Sequence, residues 1–203
     1  MLEKFKQIKA DLEKKVMSSD ILLKDCCFMD QNVKKTFVFN DSTFFPFYYY
    51  LGKYINPKNL LVLGADAGLT TACFLKSSPV ENILCFQEHS SEEHYGVRVC
   101  AFNIMKQCNA NLDIYCGSML DDNFLKKISS KKWDCILVNL NLNYDKLRNY
   151  LDVAWEHLVL DGIMLIESEL SDHTIKATQD FLQITQRDYL TFDTRYKAIL
   201  VTK

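Results

Sequence analysis

The chain has 203 residues, of which 48% are apolar and 25% are charged, and its formal net charge is −2. This composition is typical of a soluble globular protein with a substantial core. With no basic block in the sequence, nothing indicates a surface that holds duplex nucleic acid by neutralising phosphates. No apolar run approaches the roughly 18–20 residues that span a bilayer, and the first residues lack the continuous apolar region of a signal peptide. We therefore expect a cytoplasmic protein without membrane contact.

The eight cysteines form no CxxC pair, and the four histidines do not stand at metal-ligand spacing from them. Several cysteines lie inside apolar runs, where a free thiol behaves as a small hydrophobic side chain. We expect reduced, mostly buried thiols and no metal site. The cysteines are Cys26, Cys27, Cys73, Cys85, Cys100, Cys108, Cys116 and Cys135.

An amphipathic helix is predicted at the start of the chain, because apolar residues recur there at intervals of three and four. The stripe consists of Leu2, Phe5, Ile8, Leu12 and Val16. We interpret residues 1–43 as a helical extension that packs on the following domain; a homodimer contact is the alternative use of this stripe.

Six aromatic side chains occupy the seven positions from Phe44 to Tyr50. A helix that starts near Pro46 and ends before Pro57 is predicted, because proline suits a first turn and stops a last one. Large aromatic clusters are usually core, and we expect most of these rings to pack on a sheet. One tyrosine, Tyr48 or Tyr49, is a candidate to face a substrate.

From residue 59 onward, short apolar runs alternate with helical stretches, which predicts parallel strands buried on both faces and joined by helical crossovers. Two final runs have only five residues between them and must pair antiparallel. The expected fold for residues 44–203 is a single doubly wound α/β domain. The predicted strands are Asn59–Leu63, Asn82–Phe86, Leu112–Tyr115, Asp134–Val138, Ile163–Ile166, Tyr189–Phe192 and Ala198–Thr202, and the helices lie near 69–77, 91–107, 120–129, 144–159 and 171–184.

The segment from Leu60 to Thr71, LLVLGADAGLTT, resembles the first motif of the class I S-adenosylmethionine-dependent methyltransferases. Glycines in such a strand–loop–helix turn let the backbone approach a nucleotide, and the helix start offers free N–H groups. The resemblance implies a mostly parallel, seven-stranded, Rossmann-like methyltransferase sheet with an antiparallel end. It also implies S-adenosylmethionine as cofactor, bound beside Gly64, Ala65, Asp66 and Gly68.

Further residues match the family pattern at the ends of the next two strands. The resemblance implies that Glu88 accepts hydrogen bonds from the cofactor ribose, and that Ser118 and Met119 lie in the loop around the adenine. An acid after the second strand also fits nicotinamide-dependent oxidoreductases, so Glu88 does not by itself separate the two classes. The terminal hairpin favours the methyltransferase.

The chain departs from the family pattern at several positions. Asp66 replaces the middle glycine of the loop, either as an N-cap of the following helix or as a partner for the cofactor ammonium group. The nearest branch in pattern is the small-molecule O-methyltransferases, whose metal-binding acids correspond here to Asn139, Asn141 and Glu167-Ser168. Magnesium prefers carboxylate oxygens, and we therefore expect metal-independent chemistry.

Methyl transfer requires an aligned acceptor and in some reactions a base. Asn139 is a candidate to orient an acceptor by hydrogen bonding, and Glu167 or His173 to act as base; Asn141 and Tyr144 are further candidates. The sequence favours methyl transfer to oxygen or nitrogen of a small molecule. The alternative is a catalytically inactive methyltransferase-like domain that serves as a binding or assembly module.

Overall fold

The computed structural model describes residues 3, 6, 9, 10, 12, 14, 44–64, 69–88, 106, 109–194 and 197–203. The helices in this part of the chain are α1 (Phe44–Ile55), α2 (Leu69–Ser77), α3 (Asp122–Ser129), α4 (Tyr144–His157) and α5 (Asp172–Thr185). The strands are β1 (Asn59–Leu63), β2 (Asn82–Glu88), β3 (Asn111–Gly117), β4 (Trp133–Val138), β5 (Leu158–Glu167), β6 (Tyr189–Phe192) and β7 (Ala198–Thr202).

One sheet contains all of these strands, in the order β3-β2-β1-β4-β5-β7-β6. The pairs from β3 to β5 are parallel, and β7 lies antiparallel between β5 and β6. This confirms the predicted doubly wound sheet with its antiparallel terminal hairpin. The strand order reverses between β1 and β4, and open α/β sheets bind ligands beyond the carboxyl ends of the strands at such a point.

The sheet separates two hydrophobic layers, because successive side chains of a strand point to opposite faces. Leu60 and Val62 of β1 belong to the layer that includes the side chains of α1 and α2. Leu61 and Leu63 belong to the layer that includes those of α3, α4 and α5. A strand covered on both faces needs apolar residues at every position, which explains the continuous apolar runs of the sequence.

The aromatic run lies in the first half of α1, and its described side chains, from Phe47 to Tyr50, pack into or against the core, as predicted. Pro46 lies in the first turn of the helix, where its missing N–H leaves no hydrogen bond unmade. Phe47 and Tyr48 are buried, with their ring centroids 5.1 Å apart in an edge-to-face arrangement. Tyr49 and Tyr50 are partly buried against the same layer.

Of the N-terminal stripe, only Leu12 lies among the described residues. All six described positions between residues 3 and 14 are helical. Leu12 is fully buried in the cluster that contains Phe47, and the Lys9 ammonium lies 5.8 Å from the Phe192 ring centroid. Leu2, Phe5, Ile8 and Val16 lie outside the described residues, and the helical extension over residues 1–43, with its packing on the domain, stays a prediction.

Several element bounds differ from those predicted. The helix α4 ends at His157 and not at residue 159, because Leu158 pairs with Trp133 and already belongs to β5. The early part of β5 contains a register shift and a left-handed residue, Asp161, with φ of 64°, which periodicity cannot reveal. The helix expected near 91–107 lies outside the described residues, apart from position 106. None of the described helices combines the length and the apolar character needed to cross a bilayer.

Candidate active site

Five candidate positions come together along the carboxyl edge of the sheet. Glu88 pairs in register with Gly117, the residue before Ser118. Gly64 donates from its backbone N–H to Phe86 at 2.9 Å, and the Asn139 N–H donates to Leu63 at 2.8 Å. Because Val138 pairs with Ile166, Asn139 stands beside Glu167. From β3 to β5 the edge therefore presents a row of five residues, in the order Ser118, Glu88, Gly64, Asn139 and Glu167.

Position 64 requires a glycine because the chain after β1 approaches the chain after β4 closely there. Its φ is +87°, and a Cβ at this position would overlap the carbonyl oxygen of Asn139. The sequence interpretation assigned this glycine to the approach of a ligand, whereas the contact seen here is between the ends of β1 and β4. The neighbouring predicted residues Ala65, Asp66 and Gly68 lie outside the described residues, so both interpretations of Asp66 stay open.

Glu88 is held by two side chains of α4. Its carboxylate forms an ion pair with Lys146, and the Tyr150 hydroxyl donates to Oε2 at 2.8 Å. The Glu88 side chain is 18% exposed and that of Lys146 is 36% exposed. The hydrogen bond to Glu88 raises the pKa of Lys146. Burial raises the pKa of Tyr150, so its hydroxyl keeps its proton near neutral pH and acts as a donor.

The Tyr150 hydroxyl also contacts the loop that follows β3. It accepts a hydrogen bond from the Met119 backbone N–H at 3.1 Å and lies 3.3 Å from Ser118 Oγ. The Asp121 carboxylate supports this loop, accepting from the Ser118 N–H at 3.2 Å and from the Tyr115 hydroxyl at 2.9 Å. Met119 is fully buried in the core, and its backbone N–H is used by the bond to Tyr150.

Sequence reasoning missed Lys146 and Tyr150. These residues stand four positions apart in α4, and such pairs share one face of a helix. That spacing is the signal that could have grouped them. Their partner, however, lies far away in the sequence at the end of β2, and only the packing of α4 on the sheet brings them to Glu88.

At the other end of the row, Glu167 is 3% exposed and its carboxylate accepts a hydrogen bond from the Tyr48 hydroxyl. Burial, together with the charge of Glu167, raises the pKa of Tyr48 well above its ordinary value. Both side chains line a cavity of about 10 Å³ that also borders Gly64, Asn139 and Thr71. Such a space holds about one water molecule. Of the two tyrosines considered, Tyr48 is the one that lines this cavity.

The remaining catalytic candidates lie apart from this cavity. His173 is exposed in the first turn of α5. Ser171 is the N-cap of that helix, accepting from the Thr174 N–H at 3.3 Å. Asn141 is exposed. The Tyr144 hydroxyl donates to Asp180 at 2.7 Å, which directs Tyr144 toward α5 and away from the row.

Within the described residues, no three His, Cys, Asp or Glu side chains come close enough together to hold a metal ion. The four cysteines in this part of the chain are free thiols. Cys73, Cys85 and Cys135 are buried, as expected, and Cys116 is exposed.

A larger cavity of about 410 Å³ lies at the opposite edge of the sheet, beside Lys58, Asp134 and Asp161. None of the predicted site residues lines it. The Asp134 carboxylate accepts from the backbone N–H groups of Lys58 and Asn59, at 3.1 and 2.8 Å, and thereby ties β4 to the start of β1. Because parallel sheets bind ligands at their carboxyl edge, the smaller crevice remains the candidate site.

Solved structures of similar fold cover nearly the whole chain. An O-methyltransferase from Bacillus cereus, in complex with S-adenosylhomocysteine (SAH), has a TM-score of 0.64 and 16% identity over 100% of both chains. An SAH-bound methyltransferase from Podospora anserina has a TM-score of 0.65 and 13% identity, covering 98% of this chain and 94% of that one. A putative caffeoyl-CoA O-methyltransferase from Staphylococcus aureus has a TM-score of 0.67 and 11% identity, over 97% and 99% of the two chains.

No protein-family model matches the sequence, and no curated protein sequence matches it. The structural likeness establishes that the chain has the class I S-adenosylmethionine-dependent methyltransferase fold.

Proposed function

We propose that this protein transfers a methyl group from S-adenosylmethionine to an oxygen or nitrogen atom of a small molecule, without a metal ion. The observation that carries the proposal is the row of Ser118, Glu88, Gly64 and Asn139 along one edge of the sheet, at the point where the strand order reverses. An elongated nucleoside bound along this edge would meet these residues in turn.

The residues at the Glu88 end fit the nucleoside part of the cofactor. A carboxylate has about four acceptor positions, and Lys146 and Tyr150 use one on each oxygen of Glu88. One position on each oxygen is left for the two ribose hydroxyls. Ser118 and Met119, in the loop after β3, are proposed to contact the adenine. Gly64, together with Ala65, Asp66 and Gly68, is proposed to contact the methionine part.

The acceptor is proposed to bind at the Glu167 end of the row. When bound, S-adenosylmethionine supplies an electrophilic methyl group on a positively charged sulfur. Asn139 orients the acceptor atom by hydrogen bonding, and Glu167 accepts the proton that a hydroxyl or amine acceptor loses. Tyr48 donates to the same carboxylate and holds it at the crevice. His173, exposed at the start of α5, is the second candidate base.

A titration with SAH, followed by thermal unfolding, tests the cofactor assignment. At about 100 times its dissociation constant, a ligand that binds only the folded state stabilises it by about 2.7 kcal/mol, which corresponds to roughly 5–10 °C for a chain of this size. We expect this shift for the wild type and its loss in Glu88→Ala. The matched control is Glu81→Ala, at the opposite end of β2, where the acid pairs with Lys58 at 3.3 Å; this variant should keep the full shift.

A second candidate function is an inactive binding or assembly module. It is favoured if the same contacts obstruct the binding of the cofactor and the acceptor. The Glu88 carboxylate already has two partners. Glu167 is buried beneath Tyr48, and the cavity that these two residues line has room for about one water molecule. An unchanged melting temperature at millimolar SAH would exclude the enzyme and leave this alternative.

A further inference from the structure

We infer that Tyr150 and Lys146 are positioning residues that hold Glu88 ready for the cofactor ribose, an inference that rests on the function proposed above. The observation behind it is a connected set of side chains. Tyr150 and Lys146 each contact a different oxygen of the Glu88 carboxylate, and Tyr150 also contacts the loop after β3.

The hydrogen-bonding capacity of Tyr150 is fully used. A phenol has one donor and two acceptor lone pairs. Its donor goes to Glu88 at 2.8 Å, one lone pair accepts from the Met119 N–H at 3.1 Å, and Ser118 Oγ lies 3.3 Å away. One hydroxyl therefore sets the separation between the proposed ribose-binding acid and the loop proposed to contact the adenine.

The ring that carries this hydroxyl has little freedom to move. Tyr150 is fully buried, and its ring packs edge-to-face on Phe86 with centroids 5.6 Å apart. Phe86 lies in β2, two residues before Glu88. The donor to Glu88 is thus fixed by the same strand that carries the acid. A binding group whose rotamer is set in advance loses less conformational entropy when the ligand arrives.

Lys146 has a different part in the arrangement. Its side chain is 36% exposed, and ion pairs this open to solvent contribute little to folding stability. The pair does determine where the carboxylate oxygen points. Loss of the Lys146–Glu88 ion pair should therefore change SAH affinity much more than the melting temperature. A purely structural role would change both together.

The opposite hypothesis is that Lys146 blocks the site by competing with the ribose for Glu88. The two hypotheses predict opposite signs. If Lys146 positions the carboxylate, Lys146→Met weakens SAH binding; if it competes for the carboxylate, the same variant tightens binding.

The experiment measures the SAH dissociation constant by calorimetry for the full chain and its variants. We expect Tyr150→Phe and Lys146→Met each to weaken binding about tenfold, as for the loss of a hydrogen bond to a charged group. The melting temperature should stay within about 2 °C of the wild type in Lys146→Met, whereas it should fall in Tyr150→Phe, because the buried Met119 N–H loses its acceptor. In a Glu88→Gln background, Tyr150→Phe should cost much less than tenfold, because the residue acts through Glu88. The control is Tyr144→Phe, on the same helix as Tyr150, which loses only the bond to Asp180 of α5 and should bind normally.

Unchanged or tighter SAH binding in both Tyr150→Phe and Lys146→Met, with weaker binding in Glu88→Gln, would overturn this inference and leave the proposed function intact. A full tenfold cost of Tyr150→Phe in the Glu88→Gln background would also overturn it. Absence of SAH binding by the wild type would instead remove the proposed function, and the inference with it.

Discussion

At the scale of single residues, Tyr48 and Glu167 form the most deeply buried polar pair described at the site. A carboxylate taken out of water is costly unless it is hydrogen-bonded, and the Tyr48 hydroxyl supplies such a bond. Tyr48 in turn is held by aromatic contacts with Phe47 of the same helix. The core that stabilises α1 therefore also determines where the proposed base lies.

Replacement of Tyr48 by Phe should destabilise the fold by about 1–3 kcal/mol at neutral pH, because it leaves a buried acceptor without this donor. The pKa of Tyr48 is raised in the folded protein, so its contribution is complete below the ordinary tyrosine pKa of about 10 and is lost as pH rises above it. The variant should therefore lose less stability than the wild type between pH 9 and 11, in urea titrations.

The control for this measurement is Tyr189→Phe, which removes the hydroxyl of a tyrosine that is 49% exposed. Its stability at neutral pH should match that of the wild type within about 0.5 kcal/mol. An equally small effect of Tyr48→Phe would mean that the bond to Glu167 contributes nothing.

At the scale of elements, α4 depends on polar groups at both ends. Asn143 caps its start, accepting from the Lys146 N–H at 3.0 Å. At its end, Lys203 donates to the Trp155 carbonyl at 2.6 Å, and Lys132 donates to the Glu156 carbonyl at 3.1 Å. These contacts satisfy carbonyls that a helix end leaves unpaired. They also hold in place the helix that carries Lys146 and Tyr150.

His157, the last residue of α4, should make the fold sensitive to acid. A helix end normally favours a protonated histidine, but here burial and the neighbouring Lys132 lower its pKa. The unfolded chain therefore takes up a proton near the ordinary pKa of about 6.5 more readily than the native protein, and stability falls as pH decreases through that value. His157→Gln should lose less stability than the wild type between pH 7 and 5.

Urea titrations at several pH values would check this expectation, with the comparison anchored at pH 8, where the protonation of His157 no longer contributes in either state. Equal slopes for both proteins between pH 7 and 5 would contradict the assignment. A steeper slope in the variant would mean that the helix end outweighs burial.

At the scale of the whole molecule, one sheet joins two hydrophobic layers. Leu60 and Leu61 are neighbours in β1, both fully buried, and they belong to different layers. Both tryptophans contact the second layer, since Trp133 is part of it and Trp155 packs against it. Loss of the first layer is therefore expected to unfold the second through β1, which lies inside the sheet between β2 and β4.

Leu60→Ala should cost about 2–5 kcal/mol, and it should shift the tryptophan fluorescence and the far-ultraviolet circular dichroism to the same lower urea midpoint. Leu61→Ala is the matched variant in the other layer and should behave alike. A fluorescence midpoint that stays at the wild-type value in Leu60→Ala would mean that the layers unfold separately.

Much of this architecture is encoded locally. The continuous apolar runs at Asn59–Leu63 and Ala198–Thr202 predict buried strands with correct bounds, because both faces of these strands are covered and every position must be apolar. The short connection between the last two strands requires an antiparallel hairpin. These features depend on neighbouring residues and can be deduced without coordinates. The start of β5 could not, because its early residues are in a strand only through pairing with Trp133.

The sequence by itself determined the fold class, the glycine turn at Gly64 and the candidate acid Glu88, since each depends on residue type and order along a few neighbouring elements. Only the tertiary structure decided that Lys146 and Tyr150 hold that acid, that Tyr48 covers Glu167, and that Tyr144 belongs to the helix contact with Asp180. The physical reason is that a side chain's partner is set by the packing of elements far apart in the chain, and periodicity describes a face of a helix but not what lies against it.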